Sequence, residues 1–425
     1  MNLLVVGGGG REHAIIQKLK ENPTVETIYA LPGNGGIAQD AVCVPSIGAK
    51  DIESIVDFAK SHAIDFAVVA PDDPLALGCV DRLHEAGIPC FGPEAKAARI
   101  EASKVFSKNL MKKYGIPTAQ YEVFNDPARA LAYLKNASFP IVVKADGLAL
   151  GKGVLIPQNL QEAEAAVKSI MEDKTFGDSG NEIVIEEFLT GPEVSVLAFT
   201  DGIAIVPMVS SMDHKRAGDG DTGPNTGGMG TVAPNPCYTP EAAAECMERI
   251  FLPTLAAMRA EGCPFKGCLY FGLMLTPDGP KVIEYNCRFG DPETQVVLPL
   301  LKTDLLTIMQ AVENETLGDL PVEWHDGSAA CVILASGGYP GSYEKGKELS
   351  IPEDLPGHVT VYHAGDKALD GKLVTSGGRV LGVTATGDTL EAALKDAYAA
   401  TERIHFEGKY LRHDIGQRAL RALEG

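Results

Sequence analysis

Basic residues are in short supply. Lys and Arg together number 37 against 57 Asp and Glu, a formal charge of −20. A surface that acidic repels nucleic acid and anionic membranes, which excludes both as partners, and any anionic substrate needs cations gathered locally. No C-x-x-C pair occurs among the nine cysteines, which are odd in number, scattered, and no closer than Cys263 to Cys268. They read as reduced thiols that fill the core of a cytoplasmic protein. No apolar run is long enough to cross a bilayer. The opening Met1-Asn2-Leu3-Leu4-Val5-Val6 has neither the basic flank nor the length of an export signal. Internal repeats and low-complexity tracts are also missing. What remains is a soluble chain of 425 residues, 45% hydrophobic, long enough for about three domains of ordinary size.

The first hundred residues alternate short apolar runs with amphipathic stretches. Strands are predicted at Leu3–Val6, Thr27–Leu31, Phe66–Ala70 and Ile88–Phe91. Helices are predicted at Arg11–Lys20, after Asp51, and at Leu75–Ala86. That order is βαβαβ and implies a parallel sheet covered on both faces. One long helix is expected from Glu94 to Tyr114, ending at Gly115-Ile116-Pro117. Beyond Tyr121 the strands come in pairs, Ile141–Ala145 with Val154–Pro157 and Glu182–Phe188 with Glu193–Phe199, with helices at Asp126–Lys135 and Asn159–Met171. A helix near Pro240–Glu261 precedes two strands, Gly267–Leu275 and Lys281–Cys287, turned at Pro277-Asp278-Gly279. A β-rich section follows Trp324-His325-Asp326-Gly327, with strands at Ala329–Ala335, Val359–His363 and Gly378–Thr386 and a closing helix at Thr389–Ile404. The fold class is therefore α/β and α+β multidomain. Its expected divisions are a parallel α/β domain at 1–100, a central domain at 101–325 and a small β-rich domain at 326–425.

Four motifs carry candidate chemistry. Gly7-Gly8-Gly9-Gly10 follows a strand and opens a helix, yet the third glycine of a dinucleotide fingerprint is replaced by Glu12 or His13. The second strand also ends Ala30-Leu31-Pro32 without a ribose-binding acid. The turn either presents amides to a phosphate or carboxylate or is a tight turn made for packing. Lys144-Ala-Asp-Gly147-Leu-Ala-Leu-Gly151-Lys152-Gly153 has three residues between its glycines where a P-loop has four, and it links two strands. It suits a loop closing over phosphates and equally a solvated hairpin. Glu284 and Asn286 alternate onto one face of a strand, an oxygen pair that suits a hard cation such as Mg²⁺, although solvated polar residues share that pattern. Arg288 follows, able to grip a carboxylate or phosphate with two parallel hydrogen bonds. Lastly, Asp213-His-Lys-Arg216 and Asp219–Gly230 concentrate charge and glycine. The stretch is either a mobile surface loop or the lining of a site.

Taken together these stretches resemble the phosphoribosylamine–glycine ligase family of the ATP-grasp superfamily. The opening Gly-Gly-Arg11-Glu12-His13-Ala14 is similar to that family's start. So are Ile141-Val-Val-Lys144, Asp213-His-Lys-Arg216, Asp221-Thr-Gly-Pro-Asn-Thr-Gly-Gly-Met-Gly230 and Glu284-Tyr-Asn-Cys-Arg-Phe-Gly-Asp-Pro-Glu-Thr-Gln295. The resemblance implies a two-lobed ATP-grasp core between the terminal domains, its mobile lobe at about 121–192. It also implies ATP-dependent joining of glycine to 5-phosphoribosylamine through a glycyl phosphate, in purine biosynthesis, by a cytoplasmic monomer that uses Mg²⁺ or Mn²⁺. For ATP it implies Lys104, Lys144, Gly151, Lys152, Gly153, the hinge Glu186, Glu187, Phe188 and Leu189, and Glu193. For the metal it implies Glu284 and Asn286, and for catalysis Arg288, Lys144 and Asp213. For the substrates it implies Gly9, Gly10, Glu12, Asp72, Asp213, Lys215, Arg288 and Asp291. The chain departs from many relatives in reading Ala70-Pro71-Asp72-Asp73 where they carry Gly-Pro-Glu. It also supplies no acid in Leu269-Tyr270-Phe271-Gly272-Leu273. The alternatives are another ATP-grasp ligase or carboxylase, a nucleotide-binding dehydrogenase, which the glycine spacing disfavours, and a non-catalytic binding protein, which has no use for Lys144, Glu284 and Arg288.

Overall fold

The computed structural model describes residues 1–148 and 153–424. Its N-terminal sheet is all parallel, in the order Val42–Cys43, Thr27–Pro32, Asn2–Gly7, Phe66–Val69, Cys90–Phe91. Leu3 to Val6 are fully buried, as a central strand covered on both faces requires. The chain leaves that strand at Gly7, whose φ of +124° suits glycine, and passes so close to Gly33 that a Cβ on Gly8 would lie 2.3 Å from the Gly33 carbonyl. The helix Gly10–Leu19 follows at once, with His13 N donating to Gly9 O at 3.1 Å.

The expected single helix from Glu94 to Tyr114 is two. Ser103 adopts extended backbone between Ala95–Ala102 and Lys104–Tyr114, and its hydroxyl caps the second helix by accepting from Phe106 N at 3.0 Å. The helix expected at Leu75–Ala86 likewise divides into Asp72–Ala76 and Cys79–Glu85 at Gly78. Pro240 to Ala260 stays helical through Pro253. One turn there widens, with Leu252 N reaching back to Met247 O.

The central region has two lobes. The smaller is a four-stranded antiparallel sheet in the order Tyr121–Phe124, Ile183–Glu187, Ile141–Ala145, Val154–Leu155. The helices Pro127–Leu134 and Leu160–Val167 enclose its own core around Val143, Ile183 and Val167. The larger is the antiparallel sheet Ile205–Pro207, Glu193–Asp201, Lys266–Thr276, Gly279–Asn286. The expected pairing of Glu182–Phe188 with Glu193–Phe199 is therefore wrong. Those segments lie in different sheets, and the chain between them crosses from lobe to lobe. Gly191 permits the crossing: its φ is +144°, and a Cβ there would stand 2.2 Å from the Leu275 carbonyl. The larger lobe shares its core with the N-terminal domain, from Leu4 and Val6 through to Leu269 and Phe271.

A further, five-stranded sheet joins distant parts of the chain. Met212–Asp213 and Gly230–Ala233, from the centre, lie beside Ser328–Ala335, Arg379–Gly387 and Val359–His363. The expected boundary at 325/326 runs through it. The helix Leu390–Arg403 covers one face, and its core includes Met212, Val232, Val383 and Ala397. Sequence reading omitted the hairpin Asp366–Leu369/Lys372–Thr375 and the last helix, Gln417–Glu424. Among the described residues no helix is long and apolar enough to cross a membrane.

Candidate active site

A cleft opens on the large lobe beside the segment that starts at Asp213. Glu193, Asp213, Lys215, Tyr270 and Glu284 are among its lining residues. Glu284 projects from the strand Gly279–Asn286 into a ring of cations. Lys215 Nζ donates to its Oε1 at 3.4 Å. Lys215, opposed by burial and helped by Lys144 and Lys104, lowers the Glu284 carboxyl to about 2. Glu284 in turn is the chief cause that holds Lys215 well above the ordinary lysine value. The carboxylate is thus ionised at any physiological pH, with three ammonium groups around it. This is the local concentration of positive charge that an acidic protein needs in order to hold a polyanion.

The small lobe contributes a buried ionic knot. Glu186, 4% exposed on the strand Ile183–Glu187, pairs with both Lys108 and Lys144, which are 2% and 5% exposed. Lys144 Nζ also donates to Ile283 O at 3.0 Å, and Lys108 Nζ donates to Thr118 Oγ1 at 2.7 Å, whose own proton goes to Val282 O. Both lysines therefore tie the small lobe to the last strand of the large one. Burial draws Lys108 down to about 8 against the pull of Glu186. Lys104, at the start of its helix, donates to Gly147 O at 2.8 Å, and Asp146 accepts from Ser103 Oγ and Val105 N. Of the expected ATP residues, Gly151 and Lys152 lie outside the described residues, while Gly153 accepts from Ala145 N through its carbonyl at 2.9 Å. Glu187 lies on the surface and caps Gln120 N at 3.0 Å. Phe188 is exposed at the lobe crossing beside Leu189.

Arg288 lies two residues beyond Asn286. Its Nη2 meets Glu101 Oε1 at 3.0 Å, and Glu101 Oε2 accepts from Cys287 N at 2.7 Å, so the guanidinium is held from behind. Burial opposes its charge, but Glu101 and Asp72 outweigh that and raise it above the ordinary arginine value. Among the described residues its Nε is buried without a partner. The same arginine borders a second cavity that reaches Val68, Ala70 and Gly92 at the carboxyl end of the N-terminal sheet. Asp213 sits in the first cleft. Burial and the neighbouring Glu293 raise its carboxyl well above the usual range. Tyr270 fills the place where an acid is lacking: its hydroxyl donates to Glu293 Oε1 at 3.1 Å and meets Ser195 Oγ at 2.8 Å.

The glycine turn abuts this end. Asp291 Oδ2 accepts from Arg11 N at 3.2 Å and would lie 3.6 Å from a Cβ on Gly9, and a Cβ on Gly10 would meet Gln295. Glu12, expected to face a substrate, is 1% exposed and turned inward. Its Oε2 accepts from Gly9 N at 2.7 Å, and its Oε1 takes the Arg11 guanidinium at 2.8–2.9 Å. It stabilises the turn instead of reaching into a site.

For a cation the described residues hold no cluster of three or more His, Cys, Asp or Glu. Glu284 and Asn286 are an oxygen pair on one strand face. The Asn286 amide is best satisfied with its nitrogen toward Glu101 Oε1 at 3.1 Å and the Tyr285 carbonyl at 3.2 Å, which leaves its oxygen unengaged. An ionised carboxylate with one amide oxygen fits Mg²⁺ of the kind that keeps water and substrate phosphates as its other ligands.

Several site-building residues escaped the sequence reading. Lys108 is one of four lysines in the helix Lys104–Tyr114, and nothing local marks it as the buried one. Glu101 lies in a run that reads as ordinary amphipathic helix. Arg379 comes from the β-rich C-terminal region, yet its Nη1 donates to Gly227 O at 2.9 Å and Asp291 O at 2.8 Å.

Two antiparallel lobes, with the acidic strand end at Glu284 under the influence of Lys215, Lys144 and Lys104, define an ATP-grasp enzyme. Three consecutive segments match the phosphoribosylglycinamide synthetase N domain (residues 1–101), ATP-grasp domain (102–294) and C domain (329–418). The chain belongs to the phosphoribosylglycinamide synthetase family. It is 49% identical to the phosphoribosylamine–glycine ligase of Caldanaerobacter subterraneus subsp. tengcongensis, over 98% of this chain and 99% of that one. It is 50% identical to a bifunctional purine biosynthetic protein of Pichia angusta, of which it spans 54%. The crystal structure of the Thermotoga maritima phosphoribosylamine–glycine ligase superposes with a TM-score of 0.87 at 38% identity, covering 98% of this chain and all of that one. A biotin carboxylase domain of Hydrogenobacter thermophilus, solved with MgADP and bicarbonate, shares the fold at 17% identity and a TM-score of 0.73 over 96% of this chain and 91% of that one.

Proposed function

We propose that this chain joins glycine to 5-phosphoribosylamine, converting ATP to ADP and phosphate and giving glycinamide ribonucleotide. The observation that carries the reading is the full-length likeness to ligases named for that reaction. The cation-ringed cleft supplies what the reaction needs.

A glycine carboxylate oxygen attacks the γ-phosphorus and the bond to the β–γ bridging oxygen breaks, giving glycyl phosphate and ADP. The ribosylamine nitrogen then attacks the glycyl carbonyl, the carbon–oxygen bond to phosphate breaks, and the nitrogen loses a proton. Nearly all of the catalysis is positioning and charge. Lys104 and Lys144 compensate the phosphates, the lobe crossing at 186–189 receives the base, and Lys215 stands with Asp213 on the glycine side. Arg288, held by Glu101, aligns the glycine carboxylate with its fork. Asp213 faces the glycine ammonium, which restores the charge that burial takes from its carboxylate. Glu284 and Asn286 would hold a divalent cation, which when bound stabilises charge on the phosphoryl group in flight. Gly9, Gly10 and Asp291 face the phosphoribosylamine. Closure of the small lobe keeps water from the acyl phosphate. No side-chain nucleophile is needed, in keeping with a chain that lacks any G-x-S-x-G or His-paired Cys signature.

The test is ADP release with glycine, phosphoribosylamine and ATP, alongside a panel of other small acids and amines, with the product identified by mass. ADP release that depends on a different acid, and not on glycine, overturns the assignment.

A further inference from the structure

The segment that carries Asp213 and Lys215 cannot hold itself in place. Between Asp213 and Gly230 it offers only Ala217, Pro224 and Met229 as apolar side chains beside six glycines, too few to form a core. It is nevertheless ordered into a hairpin, Arg216–Gly218 with Thr222–Asn225. The contacts that order it come from the C-terminal region.

Arg412 is 1% exposed, one of the largest fully buried side chains in the molecule. Its Nε and Nη2 donate in parallel to the two carboxylate oxygens of Asp414, each at 2.8 Å. Its Nη1 donates to the hairpin at two points, Arg216 O at 3.1 Å and Asp221 Oδ1 at 3.0 Å. Asp414 completes the grip by accepting from Gly220 N at 2.9 Å, and Asp219 Oδ1 accepts from His413 N at 2.7 Å. The base of the hairpin and its turn are thus both fixed to residues 412–414. Two further bonds hold the root of the segment: Gly416 N donates to His214 Nε2 at 3.1 Å, and Arg418 Nη2 to Asp213 O at 3.2 Å.

We infer that Arg412 is a positioning residue for the ligation, clamping the hairpin so that Asp213 and Lys215 keep their places in the cleft. The inference rests on the proposed function for the identity of the substrate that those two residues meet. A guanidinium is suited to the task because one planar group donates to a carboxylate in parallel and still has an N–H for the hairpin; an ammonium cannot do both in fixed geometry. The C-terminal region on this view touches no reacting atom here, and it supplies the rigidity of the loop that does.

The experiment compares wild type with Asp221→Asn, Arg412→Lys and Arg412→Met in steady-state ADP release and in amide hydrogen exchange of the 213–226 peptide. Asp221 is 40% exposed at its side chain and has a φ of +55°, a conformation that asparagine also tolerates, so Asp221→Asn loosens the clamp without threatening the fold. Losing one charge-assisted bond there is expected to raise the glycine KM about fivefold to tenfold and to speed exchange in the peptide. The ATP KM stays within about twofold, because Lys104 and Lys144 lie on other elements. Arg412→Met shifts the glycine KM further, and Arg412→Lys recovers part of the loss. If Arg412→Met does not fold, Asp221→Asn decides. Unchanged glycine KM and unchanged exchange in Asp221→Asn overturn the inference, as does an equal rise in the ATP KM. A wild type that releases no ADP with these substrates overturns the functional reading instead, while the exchange comparison still decides the clamp.

Discussion

His214 makes the attachment of this hairpin sensitive to acid. Its ring is buried, accepting from Gly416 N at Nε2 and placing Nδ1 3.0 Å from Gly230 O, an arrangement that needs a neutral imidazole with its proton on Nδ1. Burial, reinforced by Arg418, lowers it to about 4, against an ordinary value of about 6.5. Between those values the unfolded chain binds a proton that the folded one refuses, so stability falls as pH falls through that window and is complete above it. The full effect is about 3 kcal/mol, and about 2 kcal/mol of it is lost by pH 5. Urea unfolding of wild type and His214→Gln at pH 7, 6 and 5 isolates it, because every other titrating group cancels in the difference. Gln keeps an acceptor for Gly416 and cannot take up the proton. The variant is expected to gain on wild type by about 2 kcal/mol between pH 7 and pH 5. A difference that stays flat to within about 0.5 kcal/mol refutes the argument that a buried neutral histidine holds this junction.

Other outcomes follow from the site. Arg288→Lys keeps the charge but loses the fork, and is expected to raise the glycine KM at least about tenfold with little change in ATP affinity; steady-state kinetics would refute this if the glycine KM moved less than about twofold. Glu284→Ala is expected to lower kcat by about two orders of magnitude or more, measured at saturating Mg²⁺. Survival of turnover would mean that the cation is held elsewhere. Lys108→Met strands a buried carboxylate with one cation where it had two, and should cost about 3 kcal/mol in urea unfolding, part of it recovered by adding Glu186→Gln. A loss below about 0.5 kcal/mol would show that the knot is not coupled to stability.

What could be read in the sequence was local. Leu3 to Val6 announced a buried strand because four apolar residues in a row belong under two covered faces, and Glu284 and Asn286 announced a shared face by their spacing alone. The lobe crossing was misread because Glu182–Phe188 and Glu193–Phe199 look like the arms of a hairpin. What separates them is the close approach of Gly191 to Leu275, a contact 84 residues away in the chain. Lys108 and Arg412 were illegible for a related reason. A lysine on a helix face and an arginine near a terminus ordinarily belong to solvent, and only the tertiary fold turns them inward. Glu12 is the opposite case, an acid beside a glycine turn whose carboxylate the turn itself consumes.

The five-stranded sheet that combines 212–213 and 230–233 with 328–335, 359–363 and 379–387 sets an order of events during synthesis. As the chain emerges from the ribosome, Gly230–Ala233 has no neighbour on one side until nearly a hundred residues more have followed, and the sheet is not complete until Gly387 is out. Through that interval an apolar strand edge adjoining the ATP cleft stands open to mispairing or to a chaperone. A nascent chain stalled shortly after Glu323 would therefore carry every lysine we propose for the phosphates and still be unfinished, so nucleotide capture should lag behind translation of the parts proposed to touch nucleotide. For the same reason this ligase must be moved between fusion proteins whole, since a cut between its centre and its end divides a sheet.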